Sequence, residues 1–280
     1  MNNSNHPHVR GGMMKHWLVT FAATVSCAFA QAAPEWAKDL TPATPGSFPL
    51  LTPTSLDFQI TWKGMLNSGK LKMDFAPPDA KKPGMYVVRS SATSMGAAAA
   101  LFPYQHAFWA EVNPKSLQPA LFQATETDKA ETSTTTVQFS DKQVTSHEVK
   151  KQLKTGIVST KDRTFTFTPA YDIFSAMLQV RSQKLDAGDK ICIVIQPFDQ
   201  PYLLRVQSFG SEQHNGQKAI RLSLSMSKIH RRKMTLEPYK KLTGPATLWL
   251  SDDADRVPIE FRASVFIGEV RATLINRQKL

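Results

Sequence analysis

The sequence predicts a mainly β fold: a strongly curved antiparallel sheet or half-barrel with one amphipathic helix packed on it. Three observations predict it. From Leu56 onward, apolar residues recur at every second position in segment after segment, the period of strands with one dry face. Only the stretch around 170–183 switches to a sustained helical spacing. The 280 residues are 41% hydrophobic and 20% charged, enough apolar matter for a core, while 2 cysteines are too few for a disulfide scaffold or a Cys-rich zinc domain. About a dozen twisted strands cannot stay flat, so the sheet is expected to curl.

In chain order, Lys15 precedes an apolar run from Trp17 to Phe29, and the small residues Ala28, Ala30 and Ala32 follow. A basic start, an apolar run shorter than a bilayer core and an A-x-A exit make residues 1–33 a cleavable signal peptide, with the periplasm as destination. Thr24-Val25-Ser26-Cys27 is a poor version of a lipoprotein box, which leaves lipidation at Cys27 as an alternative. Residues 34–54 hold Pro34, Pro42, Pro45, Pro49 and Pro53 and read as an extended linker. Residues 55–280 then read as a single β-rich domain.

Within that domain, Leu56, Phe58, Ile60 and Trp62 form one alternating set, and Leu71, Met73 and Phe75 another, with a hairpin turn at Asn67-Ser68-Gly69. The alanine-rich Met95–Phe102 predicts a short helix ending before Pro103. Segments 134–139 and 163–168 read as strands. Ala170, Ile173, Phe174, Met177 and Leu178 then define a helix of about four turns, with Thr168 as its cap and Pro169 at its first position. Cys192, inside Ile191–Ile195, reads as a small buried hydrophobe. Alternation resumes through Leu204 and Val206, then Ile220, Leu222, Leu224 and Met226, and closes with 247–251, 257–263 and 265–275, where Gly268 marks a bulge or bend. An outer-membrane barrel also alternates, but Arg89, Arg205 and Arg221 near strand centres favour a soluble form.

Catalytic patterns are absent. His106, His147, His214 and His230 are scattered, with no H-E-x-x-H, G-x-S-x-G, phosphate loop or dinucleotide fingerprint, so no enzyme, cofactor or metal is expected. His147 and Glu148 are strand neighbours and point to opposite faces. Asp252-Asp253-Ala254-Asp255 reads as a hairpin turn, with Arg256 a candidate ion-pair partner across it and Pro258 suited to an edge or bulge. The formal charge is +11, and its densest clusters are Arg231, Arg232 and Lys233, followed by Lys240 and Lys241. In an exported protein without interleaved aromatics, such clusters suit an anionic membrane surface or cell-wall polymer rather than nucleic acid.

The stretch Thr247-Leu248-Trp249-Leu250-Ser251-Asp252-Asp253, then Arg256-Val257-Pro258-Ile259, then Phe266–Leu274, resembles the ending of the DUF3108 family of exported bacterial proteins of uncharacterised function. Leu56–Trp62 with Gly64 and Gly69, the 170–183 helix and Gly188-Asp189 extend the similarity. The resemblance implies a β-rich envelope domain and transfers no site. The expected function is therefore a non-enzymatic binder of an apolar or amphiphilic ligand, such as a lipid or a lipoprotein acyl chain. Phe58, Ile60, Trp62, Ile220, Leu222 and Leu224 from the sheet and Phe174, Met177 and Leu178 from the helix would line its site. The alternative is an adaptor with a filled core that docks through the basic loop.

Overall fold

A computed structural model describes residues 33–76, 84–266 and 268–280. The signal-peptide and Cys27 expectations lie outside the described residues. Eight strands come first: β1 (Thr54–Trp62), β2 (Leu66–Ala76), β3 (Tyr86–Ser94), β4 (Gln105–Val112), β5 (Pro119–Thr127), β6 (Glu131–Phe139), β7 (Val144–Gln152) and β8 (Val158–Phe165). A six-residue helix, α1 (Gly96–Leu101), joins β3 to β4, and a ten-residue helix, α2 (Ile173–Ser182), follows β8. Then come β9 (Lys190–Ile195), β10 (Tyr202–His214), β11 (Gln217–Ile229), β12 (Leu236–Pro238), β13 (Ala246–Ser251), β14 (Pro258–Val265) and β15 (Gly268–Lys279).

All strands join one antiparallel sheet in the order β8-β7-β6-β5-β4-β3-β2-β1-β15-β14-β13-β11-β10-β9, with β12 beside β11. The last strand thus returns to pair with the first, Thr54 opposite Lys279 and Trp62 opposite Val270. The end strands β8 and β9 are not hydrogen-bonded to each other, so the sheet curls without closing. Period-two alternation explains why: Phe75, Val88, Ala110, Phe122 and Val137, one row from successive strands, are all buried on the inner face. Removing such a face from water requires the sheet to wrap around something.

What it wraps is α2. Phe174 meets Phe122 of β5 at 6.1 Å between ring centroids, and Phe198, just after β9, meets Phe108 and Phe122 at 5.8 Å. Eight of the ten residues of α2 are buried. The expected helix packed on the sheet is thus buried on its polar residues as well. Its cap is also not Thr168, whose hydroxyl instead donates to the Asp141 carbonyl at 2.9 Å. Asp172 caps α2, accepting from the backbone N–H of Phe174 at 2.7 Å and of Ser175 at 3.2 Å. Burial pushes the Asp172 carboxyl up to about 6, against the opposing pull of those bonds.

The proline-rich stretch is not a free linker, and it is not extended throughout: Glu35–Asp39 form a short 3-10 helix. Leu51 is 1% and Trp36 6% exposed. Thr41 bonds both the N–H and the carbonyl of Cys192, and the backbone N–H of Phe48 donates to the Ser182 carbonyl at 3.1 Å. Prolines cannot donate, so the few free amides of this stretch are spent on α2 and β9. Cys192 is buried and free among the described residues, its thiol pushed up by burial.

Two turns differ from expectation. The β1–β2 turn falls at Lys63-Gly64, with φ of 52° and 70°, and not at Asn67-Ser68-Gly69. Gly69 instead allows close approach inside β2, since a Cβ there would stand 2.7 Å from the Thr93 carbonyl oxygen. The segment 265–275 is not one strand: the chain reverses at Phe266, and Gly268 starts β15 with φ of 121°. Pro258 does sit at a bulge, where the β13–β14 register shifts between Trp249 and Leu250.

Candidate functional site

Between α2 and the inner face lies a cavity of about 360 Å³. Ile173, Ala176, Met177 and Val180 of α2 form one wall. Phe58, Leu71 and Met73 of β1 and β2 form a second, continued by Ala272 and Phe261. Leu224, Met226, Ala246, Leu248 and Leu250 form a third, and Ile195, Leu204, Leu242 and Pro258 also line the cavity. Every lining residue is apolar. Phe261 is nevertheless 37% exposed, so the cavity is open to solvent. Met226 and Leu242 also line an adjoining recess of about 490 Å³ formed with Tyr239–Pro245, which places the mouth beneath that segment. A cavity of this size is at the low end of small-molecule pockets, roughly 300–1,000 Å³.

The predicted lining residues divide three ways. Phe58, Met177 and Leu224 line the cavity. Phe174 and Leu178 lie on the opposite side of α2, in the core cluster with β4 and β5, and Ile220 and Leu222 are packed core of the second sheet half. Ile60 and Trp62 are half-buried further along the face of Phe58, outside the lining. Sequence reasoning missed Leu71, Met73, Leu248, Leu250, Phe261 and Ala272. Their alternation was visible, but only the sheet order brings β13–β15 opposite α2.

The signature segment builds one wall of this cavity and clamps its helix. Leu248 and Leu250 point inward, while Trp249 points outward, donating Nε1–H to Glu212 at 2.8 Å and stacking on His214 at 4.1 Å. On the same outer face the buried Glu260 accepts from Asn215 at 2.9 Å and pairs with Arg262 and His214. These partners hold the Glu260 carboxyl below the usual range against its desolvation. Asp253 shapes the turn, accepting from the N–H of Asp255 and Arg256, both at 2.9 Å. Arg256 does not pair with an aspartate across the hairpin as expected. Its guanidinium turns inward to the C-terminal end of α2, donating to the carbonyls of Arg181 (3.0 Å), Gln183 and Lys184 (2.7 Å). These are carbonyls that a helix end leaves unsatisfied, and the positive charge complements the dipole there. Arg181, 1% exposed, reaches the other way, to the carbonyls of Asp255 and of Pro49 at 2.8 Å. The two arginines lock α2, the 252–257 turn and the proline-rich stretch together. Arg277 takes the ion-pair role instead, with Asp253 and Asp255.

Other chemistry-bearing groups converge less. Ser90 Oγ lies 3.2 Å from His106 Nε2, whose Nδ1 is 3.4 Å from the Tyr104 hydroxyl, itself donating to Glu126. The order resembles a nucleophile and base. Ser90, however, is buried in mid-strand, and β3 is paired on both sides, so its neighbouring amides are engaged in the ladder and supply no oxyanion donors. Burial against Phe108, stacked at 4.0 Å, lowers the His106 pKa to about 4. A larger recess of about 780 Å³, open to solvent, is edged by Lys70, Lys72, Thr93 and Thr125. Among the predicted basic residues, Arg232, Lys233, Lys240 and Lys241 are exposed, whereas Arg231 is half-buried and desolvation lowers its pKa. His147 pairs with Asp162 at 2.7 Å. Among the described residues, no helix is long and apolar enough to cross a membrane, and no group of His, Cys, Asp and Glu is placed to hold a metal.

The fold is similar to that of a β-barrel-like protein of the DUF1849 domain from Brucella abortus, with a TM-score of 0.51 at 9% identity over 82% of this chain and 98% of that one. A protein with a YmcC-like fold from Bacteroides fragilis aligns with a TM-score of 0.32 at 11% identity, over 84% of this chain and all of that one. No curated protein matches. The signature segment, the α2 clamp and the cavity wall all fall inside residues 57–275, which match the family described as "Protein of unknown function (DUF3108)", and the chain belongs to that family.

Proposed function

We propose that the protein is an exported, non-catalytic carrier in the cell envelope that holds one acyl-sized apolar chain between α2 and the curled sheet. The observation that carries this reading is the solvent-open cavity of about 360 Å³ with an all-apolar lining. An empty apolar space beside packed core forfeits dispersion contacts, and a guest that fills it recovers them. Met73, Met177 and Met226 in the lining give a wall able to adapt to guests of differing shape. Each buried methylene contributes about 0.8 kcal/mol, so about ten offer roughly 8 kcal/mol before the costs of association. The volume suits one chain and excludes a whole two-chain lipid. Export is supported by the N-terminal pattern, and a ligand of this kind is consistent with an envelope setting.

Native mass spectrometry of the protein purified from its own envelope is the test. The expected spectrum has a second species heavier by one fatty acid or single-chain lipid, and this species is removed by organic extraction. The bare polypeptide mass alone, with no uptake of added palmitate, would contradict the reading.

A further inference from the structure

Exposed apolar side chains are expected to be scattered over a soluble protein. Here they are not. Of the thirteen large hydrophobic residues exposed among the described residues, nine lie along one rim of the sheet. The register defines that rim: Trp62 faces Leu66, Gly69 faces Ser94, Thr93 faces Gln105, and Lys151 faces Val158, so successive hairpin tips share one edge. The β1–β2 tip carries Met65, 84% exposed, and Leu66. The neighbouring β14–β15 tip carries Phe266, 88% exposed, and is tied to the first by the Lys63 N–H bond to the Glu269 carbonyl. Helix α1 buries nothing and shows Leu101 and Phe102, with Tyr104 following it. The β7–β8 tip shows Leu153, Ile157 and Val158. The other four are Phe261 in the cavity wall, Phe209 and Ile275 within strands, and Leu280 at the chain end.

Charge follows the same rim. Its turns and connections at 63–65, 128–130, 153–157 and 239–245 carry Lys63, Lys129, Lys154, Lys240 and Lys241, all exposed, against Asp128 alone. That carboxylate is already occupied by the N–H groups of Ala130 and Glu131. The described turns of the opposite rim lean the other way, with Asp141, Asp186, Asp189, Asp252, Asp253 and Asp255 against Lys115, Lys142, Lys184 and Arg256. The Thr243 N–H bond to the Ser264 carbonyl fixes the 239–245 segment on the apolar rim, and Leu242 of that segment lines the cavity.

We propose that this rim is a membrane-docking edge, seated on a bilayer that contains anionic phospholipid. Long-range attraction to phosphate comes from the lysines, and anchorage comes from the apolar tips entering the acyl boundary. A protein partner with an acidic flat face would take the lysines but would leave Met65, Phe266 and Phe102 without a reason to project so far from the sheet. The docking edge stands whether or not the cavity holds a guest, and its test needs no cargo.

The experiment is flotation of the purified protein with vesicles of phosphatidylcholine, with and without phosphatidylglycerol. Retention is expected on the phosphatidylglycerol vesicles, weakened but not abolished by high salt. Joint replacement Phe102→Ser and Phe266→Ser is expected to cut retention at least tenfold, K240S with K241S to remove the preference for phosphatidylglycerol, and the control Ile275→Ser to change neither. Phe266→Trp reports insertion directly: brominated lipid should quench its excess fluorescence over the parent protein. No retention on either vesicle, equal loss in the Ile275 control, or a Phe266→Trp signal blind to brominated lipid would overturn the proposal.

Discussion

Replacing Arg256 with Ala is expected to lower the unfolding free energy by about 3 kcal/mol or more, because each buried carbonyl left without a donor costs roughly 1–3 kcal/mol. The carbonyls concerned are those of Arg181, Gln183 and Lys184 at the end of α2, and Arg256 itself is 4% exposed, so water does not readily replace it. For a domain of this size that loss corresponds to a fall in Tm of about 6–12 °C. The Phe48 ring, with the guanidinium centred 3.1 Å from its centroid, loses its partner too, so the proline-rich stretch should become sensitive to protease. Arg256→Lys should recover only part of the loss, since an ammonium cannot fork across several carbonyls. Arg262→Ala, which removes the partner of Glu260 on the outer face, serves as the comparison. Thermal unfolding followed by circular dichroism checks all three. A Tm change under 2 °C for Arg256→Ala would contradict the clamp, since that is less than about 1 kcal/mol.

Filling the cavity is expected to abolish binding while sparing the fold. Ala272 lines the cavity wall and faces Phe261 on β14 and Ile60 on β1. Ala272→Phe places a ring where the guest would lie. Because the space is open, the ring has room, and the overpacking cost of about 1–3 kcal/mol seen in filled cores should not be incurred. The expected result is a loss of at least tenfold in affinity for a fluorescent fatty acid, about 1.4 kcal/mol, with the melting temperature unchanged or raised. Phe174→Ala is the converse control. It opens the packed side of α2 against Phe122, so it should cost about 3–5 kcal/mol in stability without enlarging the guest site. Fatty-acid titration alongside thermal unfolding separates the two effects. Equal affinities for the parent and Ala272→Phe would place any binding elsewhere.

The strands and their faces were legible because alternation is a local signal: Phe58, Leu71 and Leu224 could be assigned to a dry face from their neighbours alone. The location of α2 in sequence was legible for the same reason. Its surroundings were not. Ser175, Gln179, Arg181 and Ser182 are all buried; Ser175 is held by Asp172, one turn away, while the other three rest on long-range partners: Thr44 for Gln179, Pro49 and Asp255 for Arg181, and Gly46 for Ser182. No local pattern announces partners more than seventy residues away. The proline-rich stretch misled in the same direction, since prolines predict extension but not what an extended chain lies against. The cap was misplaced because Thr168-Pro169 is a strong local start signal, and Asp172, four residues on, outcompetes it by accepting two backbone amides. The apolar rim was invisible residue by residue, as each exposed side chain is ordinary until the register places the tips on one edge.

The central claim is that the space beside α2 is a binding site, and the methionines in its wall offer the most direct measurement. With ¹³C-methyl methionine, addition of palmitate should shift the methyl resonances of Met73, Met177 and Met226 and give intermolecular nuclear Overhauser effects to the acyl chain, while Met234, which lies outside the lining and whose carbonyl accepts from Trp36 Nε1–H, stays unchanged. Unmoved resonances for all three lining methionines under saturating palmitate would contradict the account.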